Sequence, residues 1–128
     1  MSVEVSNESG HDVDEAEFAA LARHVLDAMH VHPQTDLSIL LVGTDVMSDL
    51  HVRWMDEEGP TDVLSFPVDE DGEPFGPREL GDVVICPQHT VDLEEAVVHG
   101  VLHLVGMDHE TDEGEMLALQ AQILAWLR

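Results

Sequence analysis

The side chains best placed to do chemistry in this sequence are three histidines within the run His99-Gly100-Val101-Leu102-His103-Leu104-Val105-Gly106-Met107-Asp108-His109. On a helix, residues i and i+4 stand about 6 Å apart on one face, so the rings of His99 and His103 can reach one ion. Gly106 can take the left-handed conformation that ends a helix and turns the chain, letting His109 swing back as a third ligand. Three neutral imidazoles around a borderline-soft dication such as zinc leave one tetrahedral position for water, which is the arrangement of a catalytic site. Such a water can ionise near neutral pH and act as a nucleophile.

These groups need a helix to carry them. One should start from Asp92, with Glu95 three residues on as in a capping box, and run through Val98 to about Val105, where Gly106 ends it. Ahead of it, Leu80 to Cys86 reads as a strand closed by Pro87, and Asp62 to Phe66 as another, stopped by Pro67. Asp69 to Pro74 between them is an acidic turn region. Val3-Glu4-Val5 is a short strand followed by the turn-rich Ser6 to Gly10, and Leu37 to Val42 is a buried strand. Phe18, Leu21, Ala22, Val25, Leu26 and Met29 define a helix face entered from Asp12 or Asp14. Thr44 should cap a second helix, with Met47, Leu50, Trp54 and Met55 turned inward and Gly59-Pro60 breaking it. Asp112 with Glu115 opens a last helix whose face is Met116, Leu119, Gln120, Ile123, Leu124 and Leu127. With no repeat or linker, residues 1–128 are expected to form a single α+β domain: a mixed sheet of about four strands packed with about four helices.

Composition narrows the function. Four Lys+Arg against 28 Asp+Glu give a net charge of −24, and all four cations are arginines (Arg23, Arg53, Arg78 and Arg128), so a broad basic patch for wrapping nucleic acid cannot be built. Any nucleic-acid chemistry has to work locally. Cys86 is the only cysteine, which excludes an internal disulfide framework and a cysteine-rich zinc module, and it reads as a small buried strand residue. The start lacks a basic segment followed by an apolar one, and no run of about 18 apolar residues occurs, so a cytoplasmic protein without a membrane span is expected. Carboxylate excess without lysine also fits adaptation to high internal salt, where charges are screened beyond ~3 Å at 1 M. The remaining histidines, His11, His24, His30, His32, His51 and His89, are isolated and read as surface or satisfied core groups.

Arg53 is the cation with a functional reading: a guanidinium can grip a phosphodiester with two hydrogen bonds and stabilise charge developing on phosphorus. The bland reading pairs it with a neighbouring acid on its own helix. The spacing H-x-x-x-H-x-x-G-x-x-H is also that of the metzincin proteases, but Gly100 stands where those enzymes carry a glutamate base. Since a mid-helix glycine costs ~1 kcal/mol against alanine, Gly100 asks for a reason, which we read as room for substrate.

The segment His99 to His109, with Pro60-Thr61-Asp62-Val63-Leu64-Ser65-Phe66-Pro67 and Leu80-Gly81-Asp82-Val83, closely resembles the YbeY family of bacterial metal-dependent endoribonucleases, from Asn7-Glu8-Ser9 to the last helix. The resemblance implies that His99, His103 and His109 hold one Zn2+ per chain, and that Arg53, in Arg53-Trp54-Met55-Asp56, lies in the active-site cleft with Pro60 to Pro67 as a wall. Arg53 and His99 are then the catalytic candidates. It further implies a single-strand-specific RNase acting in ribosomal RNA maturation, at the 3′ end of the small-subunit RNA, and in ribosome quality control. The partners would be single-stranded or ribosomal RNA in a small-subunit particle, with a basic ribosomal protein as helper, and neither DNA nor membrane. Two departures stand out: Met107 replaces a tyrosine usual before Asp-His, and the connection from Pro87 to the metal helix is shorter by about a dozen residues, judged against typical connection lengths. A helix flanking the cleft is expected to be reduced or lost. The competing readings are a small metallohydrolase acting on a peptide or other non-RNA substrate, which the missing glutamate disfavours, and a non-catalytic ribosome assembly factor with structural zinc.

Overall fold

A computed structural model describes residues 2–31, 34–55, 63–67, 79–106 and 114–127. In chain order the elements are β1 (Ser2–Asn7), α1 (Glu15–Ala28), β2 (Asp36–Leu41), α2 (Thr44–Met55), β3 (Val63–Pro67), β4 (Glu79–Ile85), α3 (Leu93–Leu104) and α4 (Glu115–Leu127). Among the described residues the chain forms the expected α+β arrangement of four strands and four α-helices. The sheet is mixed, in the order β1-β2-β4-β3. β1 runs parallel to β2 and β2 parallel to β4, whereas β3 is antiparallel to β4 and forms an edge.

Alternation along the strands divides the core into two layers. Leu37, Ile39 and Leu41 of β2 and Val83 and Ile85 of β4 pack with buried residues of α1, α3 and α4. Val84 and Cys86 point the other way, with Leu64 of β3, and meet Val42 and Met47. So α1, α3 and α4 cover one face and α2 covers the opposite one. The parity breaks at one place: Asp36 pairs with Glu79 but Leu37 pairs with Gly81, leaving Leu80 as the extra residue of a bulge. Gly81 has φ 135°, a conformation that favours glycine, and the kink returns Leu80 to the same core as Val83.

Helix entry follows the local chemistry expected of the sequence. Asp14 accepts a hydrogen bond from the Glu17 backbone N–H at 3.1 Å, and Asp92 from that of Glu95 at 3.2 Å. Each cap satisfies an N–H that has no partner inside the helix, worth about 1 kcal/mol. Thr44 differs from its expected role: α2 begins at Thr44 itself, and its hydroxyl donates to Gln88 Oε1 at 2.7 Å rather than capping. β1 also extends through Ser6 and Asn7, expected in the loop, because both pair with β2. The breaker Gly59-Pro60, the acidic turn at 69–74 and Asp112 lie outside the described residues, as do the side chains of Trp54, Met55 and Leu127.

Candidate metal centre

α3 is placed by four neighbours: α1 and α4 flank it on the same layer, and β3 and β4 lie beneath it. Its buried stripe, Ala96, Val97, Val98, Val101, Leu102 and Leu104, faces them. His99 and His103 fall between that stripe and solvent, and both are half-buried. Their Nε2 atoms stand 3.2 Å apart, with ring centroids 4.7 Å apart and planes inclined by 75°. Two nitrogens each ~2.0 to 2.1 Å from a tetrahedral zinc would be separated by about 3.3 to 3.4 Å, so the spacing of the pair suits one shared ion.

The other nitrogen of His99, Nδ1, is 2.8 Å from Oε1 of Gln120 on α4. Gln120 was expected merely as a member of the core-facing stripe. The signal that could have marked it is that a polar side chain sits among Met116, Ile123 and Leu124, all buried, and buried polar groups take hydrogen-bond partners. Gly106 has φ 106°, and its N–H donates to the His103 carbonyl at 3.0 Å, so the chain does leave α3 by the expected left-handed turn. His109, Asp108 and Met107 follow that turn and lie outside the described residues. Among the described residues no group of three or more His, Cys, Asp or Glu gathers as a metal site.

Gly100 does not open room for substrate. It is fully packed, and a Cβ built on it would stand 2.5 Å from Cγ1 and 3.2 Å from Cγ2 of Val83. Ser65 of β3, opposite Val83 in the register, donates its hydroxyl to the Gly100 carbonyl at 3.1 Å. The glycine therefore lets α3 lie close on β3 and β4, a packing requirement that also fixes the height of the two histidines above the sheet.

Arg53 lies in the last turn of α2, on the layer opposite α3. Its Nε is 3.3 Å from Oδ2 of Asp49, one turn earlier, and the two side chains are 70% and 58% exposed. The structure thus brings His99, His103 and Gln120 together and leaves Arg53 paired with its helical neighbour. Cys86 is fully buried and a free thiol. The link from β4 to α3 is residues 86–92, in which Pro87–His89 form a short 3-10 turn and no α-helix is present. Among the described residues no helix is long and apolar enough to cross a membrane.

Comparison with known proteins gives a consistent picture. A family profile described as Endoribonuclease YbeY matches residues 4–128. The endoribonuclease YbeY of Beutenbergia cavernae is 56% identical over 143 aligned positions, covering 97% of this chain and 95% of that protein. Those of Thermobifida fusca, at 51% over 148 positions, and Mycolicibacterium smegmatis, at 49% over 145, cover 100% and 97% of this chain and 96% and 82% of their own lengths. All three alignments exceed the 128 residues of this chain, so each relative carries residues where this chain has none. In three dimensions the fold matches the solution structure of a Thermotoga maritima protein with a TM-score of 0.53 at 21% identity, over 95% of this chain and 86% of that one.

Proposed function

Because the chain belongs to the endoribonuclease YbeY family, we propose that it is a zinc-dependent, single-strand-specific endoribonuclease of ribosomal RNA maturation and quality control, acting in the cytoplasm at the 3′ end of the small-subunit RNA. The observation that carries the reading is the 3.2 Å approach of the His99 and His103 Nε2 atoms, a spacing suited to a shared ion. His99 and His103 hold the metal from α3, with His109 as the third ligand after the Gly106 turn. Zinc held there supplies Lewis-acid polarisation of a phosphoryl oxygen and an activated water. Arg53 grips a phosphate of the same RNA strand, where its planar fork suits two phosphate oxygens. Gly100 in place of the protease glutamate removes the usual proton shuttle for peptide hydrolysis, which favours the phosphodiester over the peptide.

The charge of the chain shapes how RNA is met. With a net charge of −24 and four cations, few phosphate contacts are available, so affinity for free RNA is weak and recognition depends on RNA presented by a small-subunit particle or a basic ribosomal protein. The test is an RNA-cleavage assay with metal-replete and metal-stripped protein, alongside elemental analysis. The parent is expected to hold about one zinc per chain and to cut single-stranded RNA only when metal-replete, and His103→Ala is expected to lose the zinc. Unchanged zinc in His103→Ala would sink the ligand assignment. Hydrolysis of a peptide without cleavage of RNA would hand the site to the metallohydrolase reading.

A further inference from the structure

We propose that Gln120 is a positioning residue that holds His99 in its Nδ1–H tautomer and thereby presents the Nε2 lone pair to the metal. The inference rests on the zinc reading above and deepens it. Gln120 is 8% exposed, on the inward face of α4, and its Oε1 is 2.8 Å from His99 Nδ1. A carboxamide oxygen accepts only, so the proton in that bond belongs to Nδ1, and in a neutral imidazole Nε2 then carries the lone pair.

The second nitrogen agrees with this assignment. His99 Nε2 faces His103 Nε2 at 3.2 Å, and a hydrogen bond between two ring nitrogens needs one donor and one acceptor. With His99 Nε2 unprotonated, His103 Nε2–H is the donor. The bond from Gln120 thus leaves the His99 Nε2 lone pair turned toward His103 and the position that a shared ion would take. The hydrogen bond also spans 21 residues of sequence, so the last helix, which brings no proposed metal ligand of its own, sets the orientation of a ligand on α3. Partners of this kind, which take the second ring N–H of a metal-binding histidine, change metal affinity by about 10- to 100-fold when removed.

The test uses the full chain with 15N-labelled histidine. In metal-free parent protein, long-range proton–nitrogen correlation should show His99 protonated on Nδ1 and bare on Nε2. Gln120→Glu keeps an accepting oxygen and should keep that tautomer and the zinc dissociation constant of the parent, measured with zinc alone by chelator competition. Gln120→Met, of similar size without an acceptor, should lose the single tautomer and weaken zinc about 10- to 100-fold. A parent that binds zinc but shows His99 protonated on Nε2, or a folded Gln120→Met that keeps parental zinc affinity, would overturn the assignment. A parent with the Nδ1–H tautomer that binds no zinc would uphold the hydrogen bond and sink the metal reading instead, so the two failures are distinguishable.

Discussion

Val83 and Gly100 meet where α3 comes closest to the sheet: the missing side chain of the glycine is the space that the two methyls of the valine fill. Val83 is fully buried at the centre of β4, and a β-branched side chain in a strand has little freedom to rotate away. The same contact has Ser65 on the neighbouring strand bonded to the Gly100 carbonyl, so helix height is set by one steric and one polar constraint.

Gly100→Ala is therefore expected to destabilise the protein although alanine is the better helix former. Relief of the glycine penalty gains ~1 kcal/mol, while overpacking a close contact costs ~1 to 3 kcal/mol, so the sum should be a loss of up to ~2 kcal/mol. Urea unfolding measures it. Val83→Ala in the same chain should recover part of the loss, and a Gly100→Ala protein more stable than the parent would mean that the contact relaxes freely.

Arg53 offers a separation of stability from chemistry. Its pair with Asp49 is exposed on both sides and falls in the class worth ~0 to 1 kcal/mol, so Arg53→Ala should barely move the melting temperature. Zinc content should also stay unchanged. RNA cleavage, by contrast, should drop by about 10- to 100-fold, the order expected for losing a charge-assisted contact to a phosphate of the strand, and Arg53→Lys should recover only part because it lacks the planar fork. Cleavage by Arg53→Ala at the parental rate would remove Arg53 from the phosphate-binding role.

Salt should stabilise this chain. At −24 the folded state suffers self-repulsion, and the screening length shrinks from ~10 Å at 0.1 M to ~3 Å at 1 M. The melting temperature is expected to rise across that range, and cleavage of free RNA to rise from low to moderate salt as repulsion between two polyanions is screened. A melting temperature that is flat or falls with added salt would count against a structure limited by its own charge.

Much of the fold was legible because it is governed by local chemistry. Asp14 and Asp92 cap the helices they precede, since a cap needs only the next three residues, and the i, i+4 spacing of His99 and His103 needs only a helix. What escaped depended on partners distant in sequence. The reason for Gly100 lies in Val83 and Ser65, neither of which a helix pattern identifies, and reading it as substrate space was a correct sense of missing volume assigned to the wrong neighbour. Gln120 was visible as a member of the right face but its partner was not. The capping role given to Thr44 failed because the helix already includes Thr44, and its hydroxyl is engaged with Gln88, which follows β4 at the same end of the sheet but 44 residues on in sequence. Leu80 kept its burial in spite of strand alternation because the bulge at Gly81 adds a residue that periodicity cannot show.

The short link from β4 to α3 has a mechanical consequence. Cys86 is anchored in the core beneath α2, its carbonyl accepts both the His89 N–H at 3.1 Å and the Thr90 hydroxyl at 2.7 Å, and Asp92 then caps α3 at once. Little slack is left between strand and helix, so much of the ordering entropy of the helix is lost when the chain folds and little remains to be lost when an ion arrives. Ligand adjustment falls to rotation of the two imidazoles about their own bonds. Hydrogen exchange of the α3 backbone amides should accordingly be nearly the same with and without zinc, and a helix that gains most of its protection only on metal binding would show the tether to be loose.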